Sequence, residues 1–140
     1  MRNLSQAEYE ELATFRYQIR RFVHFSEQAA MDAGIEPRQH QALLAIKATG
    51  AEEGCTIRAL AEQLILRHQS AVGLVDRLEL HGFVQRVPSP EDGRKVIVKL
   101  TSQGEDILRR LSLTNRTELG ERAPELVKAL RAIMHRSNRK

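Results

Sequence analysis

Gln69-Ser70-Ala71-Val72-Gly73-Leu74-Val75-Asp76-Arg77-Leu78-Glu79-Leu80-His81-Gly82-Phe83-Val84-Gln85-Arg86-Val87 changes its period part-way along, and that change decides the fold. Up to His81 the apolar residues Ala71, Val72, Val75 and Leu78 recur at helical spacing. Gly82 is a natural helix stop, and His81 stands where the helix dipole favours a cation. Val84 to Val87 then suit a strand. A second strand is expected at Lys95 to Leu100, with Val96, Val98 and Leu100 alternating against Ile97 and Lys99. Pro88-Ser89-Pro90-Glu91-Asp92-Gly93 lies between them, and its Asp-Gly pair favours the positive φ that a hairpin needs.

Upstream, Thr56 reads as the N-cap of a short helix containing Leu60, Ala61 and Leu64. The polar stretch Ala51-Glu52-Glu53-Gly54 before it is a loop. A helix from Pro37 to about Ala48 carries Leu43, Leu44 and Ile46 as its inward residues, and Pro37 suits the first helical turn. The first helix, from Glu8 to about Ala33, has Leu12, Phe15, Ile19, Phe22, Val23 and Ala30 on one stripe and is closed by Gly34. Downstream, Thr101 caps a helix with Ile107, Leu108 and Leu111 on its apolar side. Gly120 and Pro124 interrupt the pattern. A last helix with Leu126, Val127, Leu130, Ile133 and Met134 is expected beyond them, and the chain finishes with Arg136, Arg139 and Lys140. Four helices, a hairpin and two more helices make a mainly α protein with a small β-hairpin wing. Two short helices feeding a two-stranded ribbon is a winged helix-turn-helix.

The whole chain, 140 residues, is long enough for one domain with a substantial core. It has no run of eighteen apolar residues, so no membrane span is expected. The stretch Met1-Arg2-Asn3-Leu4-Ser5-Gln6 lacks the apolar core of a secretory signal, and the single Cys55 fits a reducing, cytoplasmic setting. With 22 basic and 18 acidic residues the net charge is +4, which suits a polyanionic partner. Aromatic residues make up 4%, with no tryptophan, which argues against a stacking platform for single strands.

The stretch from Leu64 to Gly104 resembles the DNA-binding core of MarR-family transcriptional regulators. The residues that carry the resemblance are Val75-Asp76-Arg77-Leu78-Glu79, then Gly82-Phe83-Val84-Gln85-Arg86, then Asp92-Gly93-Arg94 and Val98-Lys99-Leu100-Thr101-Ser102-Gln103-Gly104. The resemblance implies a homodimer. Residues 1–35 and 105–140 would be dimerisation helices around a winged core at residues 36–104. It departs from the family at Ile65-Leu66-Arg67-His68, where a Gly followed by Ser or Thr is usual, so a differently shaped turn is expected, with the N-cap either missing or supplied by the Arg67 backbone. It departs again at Gly73, a recognition-helix position often filled by a longer polar residue. Close approach to DNA and simple tolerance on an exposed face both explain a glycine there.

In a helix-turn-helix the first residues of the second helix reach base edges in the major groove. Those residues here are Arg67, His68, Gln69 and Ser70. An arginine can bridge two acceptors on guanine, and a glutamine can pair with adenine in the same bidentate manner. The family resemblance puts Arg94 of the wing in the minor groove beside Lys95, with Asp92 orienting the Arg94 side chain. Thr56 and Arg58 can hold phosphate through a hydroxyl, helix-end amides and charge. Arg77 and Arg86 either do likewise or pair with an acidic neighbour.

His24, His40, His68, His81 and His135 form no metal-ligating spacing, and neither metal nor cofactor is expected. Some relatives carry a reactive cysteine, but near the first helix; a thiol at a helix start, like Cys55, can have a lowered pKa. Arg16, Tyr17, Arg20, Arg21, His24 and His40 suit an organic anion, and the family often binds aromatic carboxylates. Tyr17, Arg20 and His40 are the candidate ligand residues. The function expected is that of a homodimeric regulator, not an enzyme, that binds a pseudopalindromic operator in double-stranded DNA, usually to repress, and is released by a small organic acid. The alternatives are a winged protein-interaction module without DNA binding, and a small metal-dependent enzyme using histidines.

Overall fold

The computed structural model describes residues 1–138; the last two, Arg139 and Lys140, at the end of the expected dimerisation helix, lie outside the described residues. The elements are α1 (Gln6–Asp32), α2 (Pro37–Thr49), α3 (Ile57–Leu64), α4 (His68–Leu80), β1 (Val84–Pro88), β2 (Val96–Leu100) and α5 (Ser102–Ser137). The chain divides into two compact units, Met1–Ala29 with the chain from Leu113 on, and Ala30–Ser112. The division falls inside the two long helices, α1 and α5, rather than at their ends.

In the first unit, α1 begins two residues earlier than its apolar stripe suggests. The reason is a reciprocal cap. The Ser5 amide donates to Glu8 Oε1 at 2.9 Å and the Glu8 amide donates to Ser5 Oγ at 3.2 Å. The signal for this cap, Ser5-Gln6-Ala7-Glu8, is written in the sequence. Arg2 adds two bonds to the same carboxylate, at 3.1 and 2.9 Å. Near the other terminus, Arg136 Nε donates to Glu11 at 2.8 Å, 125 residues away.

The break expected at Gly120 and Pro124 does not occur: α5 is a single helix with Pro124 inside it. Pro124 forfeits the bond its amide would donate to the Gly120 carbonyl. The shielded positions Asn115, Glu118, Arg122, Leu126, Ala129 and Ile133 nonetheless stay in helical phase across it. An ion pair between Arg122 and Glu118 spans the turn just before the proline. Burial of one continuous face therefore outweighs the lost bond.

In the second unit, Leu43, Leu60, Leu74, Leu78, Val75, Val84 and Val98 are fully buried. Leu44, expected inward, is exposed, because the buried side of α2 carries Gln39, His40, Ala42, Leu43, Ala45 and Ile46. β1 and β2 pair antiparallel, Val84 with Leu100 through Pro88 with Val96. The expected alternation in β2 fails, since Ile97 and Val98 are both buried and Val96 is exposed. Two neighbours explain it. The Val98 amide donates to the Cys55 carbonyl at 2.8 Å, so Cys55 extends the sheet on the second edge of β2. Ile97 lies against Gly54, where a Cβ would stand 2.6 Å from Ile97 Cδ1 and where φ is +90°. Only glycine fits that position.

The run Gly82-Phe83 … Thr101 … Gly104 now has a physical meaning. Thr101 Oγ1 donates to the Gly82 carbonyl at 2.6 Å and accepts the Gly104 amide at 3.1 Å, capping α5. The Thr101 amide donates to the Phe83 carbonyl at 3.0 Å. A Cβ on Gly104 would come within 2.1 Å of that carbonyl oxygen, so the first turn of α5 can lie against the Phe83 backbone only with glycine there.

Candidate nucleic-acid interface

Thr56 caps α3 by accepting the Ala59 amide at 3.1 Å, and Leu60 and Ala61 bury its inner side. The side chain that caps α3 therefore already has a backbone partner. Arg58 is exposed and stands 3.7 Å from Glu62, a loose pair that leaves its guanidinium accessible.

The turn into α4 is closed by Ile65 in the left-handed region, φ +53° and ψ +51°. The Leu66 amide donates to the Ala61 carbonyl at 2.9 Å across it. Glycine or asparagine is the usual occupant of such a helix stop. Ile65 is β-branched and 92% exposed, so its side chain is strained and gains nothing from the core.

Arg67 follows in extended conformation as the N-cap of α4 and makes no side-chain cap bond. The first-turn amides of α4 thus meet solvent with the positive end of the helix dipole behind them. Arg67, His68, Gln69 and Ser70 are all exposed around this helix end. Ala71, Leu74, Val75 and Leu78 bury the opposite face. Gln69, Gly73 and Arg77 are spaced four apart on the outer side. No atom lies within 4 Å of where a Gly73 Cβ would be, so nothing in the chain itself requires glycine there.

Arg77 Nη2 is 3.6 Å from Glu36 Oε2, a half-exposed pair. Arg86 is held far more closely. Its Nη2 donates to Asp76 Oδ1 at 2.7 Å and its Nη1 to Glu79 Oε1 at 2.6 Å. These bonds keep its guanidinium firmly charged. Of the two roles open to Arg86, the structure takes the acidic-neighbour one.

The wing tip differs from the expected tight hairpin. Gly93 is not among the residues of positive φ. Ser89 Oγ instead accepts the Glu91 and Asp92 amides at 3.3 and 3.4 Å, and the Ser89 amide donates to the Lys95 carbonyl at 2.8 Å. Asp92 Oδ1 accepts the Arg94 amide at 3.1 Å. What Asp92 orients is therefore the backbone of Arg94 rather than its guanidinium. Arg94 and Lys95 are both exposed.

Of the candidate ligand residues, Tyr17 and Arg20 belong to the first unit and His40 to the second. Tyr17 is exposed, and the Arg21 guanidinium sits 5.7 Å above its ring. Arg20 is exposed. His40 is buried, and burial pushes its pKa below the ordinary 6.5, favouring the neutral ring. It would offer a carboxylate an N–H rather than a full charge. Cys55 is fully buried, its Sγ donating to the Thr56 carbonyl at 3.4 Å. Burial raises its pKa, against the lowering that a helix start brings, and so disfavours the thiolate.

Residues 33–95 match the sequence model of the MarR family. That stretch, a little under half of the chain, is similar to the MarR family. Among curated relatives, the HTH-type transcriptional regulator FarR of Neisseria gonorrhoeae is 34% identical over 55% of this chain and 47% of its own length. The chain spans between about a third and about half the length of the curated relatives it matches. Among solved structures, CouR from Rhodococcus jostii RHA1 bound to p-coumaroyl-CoA has a TM-score of 0.72 at 22% identity, covering 92% of this chain and 95% of its own. A cysteine-to-serine mutant of MarR from E. coli complexed with operator DNA has a TM-score of 0.66 at 23% identity, covering 87% and 89%. At these identities the two structures establish the shared winged helix-turn-helix fold.

Proposed function

We propose that the chain is a homodimeric, sequence-specific DNA-binding regulator acting in the cytoplasm, a binder rather than an enzyme. One observation carries the reading. The second helix of the helix-turn-helix has an uncapped, cationic, solvent-facing first turn, Arg67-His68-Gln69-Ser70, on a helix whose other face is buried. Such an end offers amides and charge to phosphate and side chains to base edges. Exposed Arg94 and Lys95 on the wing supply a second cationic contact suited to a narrow minor groove. The MarR structure with operator DNA supports the same use of this fold. Thr56, Arg58 and Arg77 are assigned to the phosphate backbone.

The first unit leaves Leu12, Ile19, Val127, Leu130 and Met134 well exposed. Burial of these residues against a second copy removes the mismatch and gives the two-fold symmetry that a pseudopalindromic operator requires. Binding at such a site over a promoter represses. CouR, solved with p-coumaroyl-CoA, supports a small-molecule effector; an organic acid is the class proposed here, with Tyr17, Arg20 and His40 as the assigned residues.

Protection mapping on the promoter region beside the chain's own coding sequence tests the reading. Two protected half-sites about 34 Å apart are expected. Affinity should fall steeply with salt, each neutralised phosphate adding about −0.9 to the log–log slope. A flat salt response would reject DNA as the ligand. An aromatic carboxylate panel should weaken operator binding, and Arg20→Ala should abolish that response without changing unliganded affinity.

A further inference from the structure

Asp76 and Glu79 put two carboxylates three residues apart on α4, the helix assigned above to the DNA groove. Bare carboxylates on that helix would be repelled by the phosphates of a duplex. Neither is bare. Arg86 of β1 binds both, at 2.7 and 2.6 Å, and its backbone amide donates to the second oxygen of Glu79 at 3.2 Å. Three bonds from a single residue therefore join the first strand of the wing to the outer half of the helix. The Arg86 side chain is 26% exposed against 86% for Arg58, which shows how far it is drawn down between its partners. Two arms of the guanidinium fork reach two separate carboxylates at once, a geometry that a lysine cannot copy.

The strand carrying Arg86 is itself fixed from behind. Arg86 faces Val98 across the ladder, and Val98 is bonded on its other edge to Cys55, the residue before the Thr56 cap of α3. The ion cluster thus closes a chain of contacts running from α3 through the sheet to α4. A loose surface pair would be worth little. A doubly bonded guanidinium tying two elements that must meet one ligand in register has a different consequence.

We infer that Arg86 is a positioning residue for DNA recognition. It locks the recognition helix to the wing and masks the charge of Asp76 and Glu79 without itself touching a phosphate. This rests on the DNA-binding reading above and separates Arg86 from the cations that reach the duplex.

The test is a salt series of equilibrium binding by the full chain to a duplex that the wild-type protein selects from a random-sequence pool. Wild type is compared with Arg86→Gln, Arg86→Lys and the triple variant Asp76→Asn, Glu79→Gln, Arg86→Gln. Arg86→Gln should lose about tenfold in affinity, the size of an ordinary coupling within one ion-pair network. Its salt slope should equal that of wild type, because no phosphate contact has gone. Arg86→Lys should recover part of the loss. The triple variant, which removes charge and partner together, should recover most of it, and it carries the comparison if Arg86→Gln does not fold. A slope shallower by about 0.9 in Arg86→Gln would show a direct phosphate contact and overturn the inference. So would unchanged affinity in Arg86→Gln, or a triple variant that binds no better than Arg86→Gln. A wild-type protein that selects no duplex defeats the DNA-binding reading itself, an outcome distinct from any of these.

Discussion

Gln39 Nε2 donates to His81 Nδ1 across 3.0 Å, although 42 positions separate them in the chain. The other amide atom is already committed, since Gln39 Oε1 accepts the Glu36 amide at 3.0 Å in the cap of α2. His81 must therefore present a lone pair at Nδ1 and carry its ring hydrogen on Nε2. One buried amide ties the start of α2 to the end of α4. Gln39→Ala should cost about 1–3 kcal/mol, because it removes both bonds of a buried side chain. Urea unfolding measures this, and a loss below a few tenths would mean the link is dispensable.

Ile65 is a β-branched residue in a left-handed turn with its side chain in solvent. Ile65→Asn should raise stability by about 1 kcal/mol, the scale of the steric penalty removed. Thermal melts of the two proteins decide the point. A destabilised variant would show that Ile65 makes a contact worth more than its strain.

Gly73 stands in open space on the outer stripe of α4. Gly73→Ala should stabilise the folded chain by about 1 kcal/mol through helix propensity alone. On the groove-facing reading the same methyl should weaken operator binding. Increased stability with unchanged affinity would place Gly73 away from the duplex.

Arg94→Ala should weaken binding to most duplexes alike, since minor-groove and phosphate contacts carry little base information. Gln69→Ala should instead relax preference at particular positions, by about 1–3 kcal/mol if its contact is bidentate. Selection from a random pool with each variant separates the two patterns. Uniform loss in both would remove base reading from the start of α4.

Two groups contribute to the response to acid. The Arg2 guanidinium, and then the Ser5 amide, hold Glu8 at about 2, well below its ordinary 4.5. That depressed value makes the α1 cap a stabilising feature above about 4.5, lost as pH falls through about 2. Burial lowers His40, so the folded state prefers it neutral. Its contribution is complete above the ordinary 6.5 and falls away as pH drops below that value. His40→Leu should therefore flatten the loss of stability between about pH 7 and pH 5, as read from urea midpoints. In a nuclear magnetic resonance titration the Glu8 carboxyl should have its midpoint near 2, and Arg2→Ala should move it upward.

Helical spacing, the caps at Thr56 and Thr101 and the switch of period at Phe83 were enough to place α1 to α4, the hairpin and the start of α5. These are local properties: a cap or an apolar stripe acts within a few residues of where it is written. The exposed residues Arg67 to Ser70, Arg94 and Lys95 were legible for the same reason, because position on an element and chemistry suffice to nominate them. What sequence alone did not determine depends on partners distant in the chain. Ile97 and Val98 are both buried because Gly54 and Cys55, over 40 positions earlier, cover β2 from its second edge. Pro124 stays inside α5 because a long, partly shielded face keeps one helical phase, and that outweighs a local breaker. Arg86 was equally suited by charge to a phosphate or a carboxylate, and only the packing of β1 on α4 brought Asp76 and Glu79 within bonding distance. Local rules nominate such residues, but the partner that satisfies each is chosen by which distant surfaces the folded chain brings together.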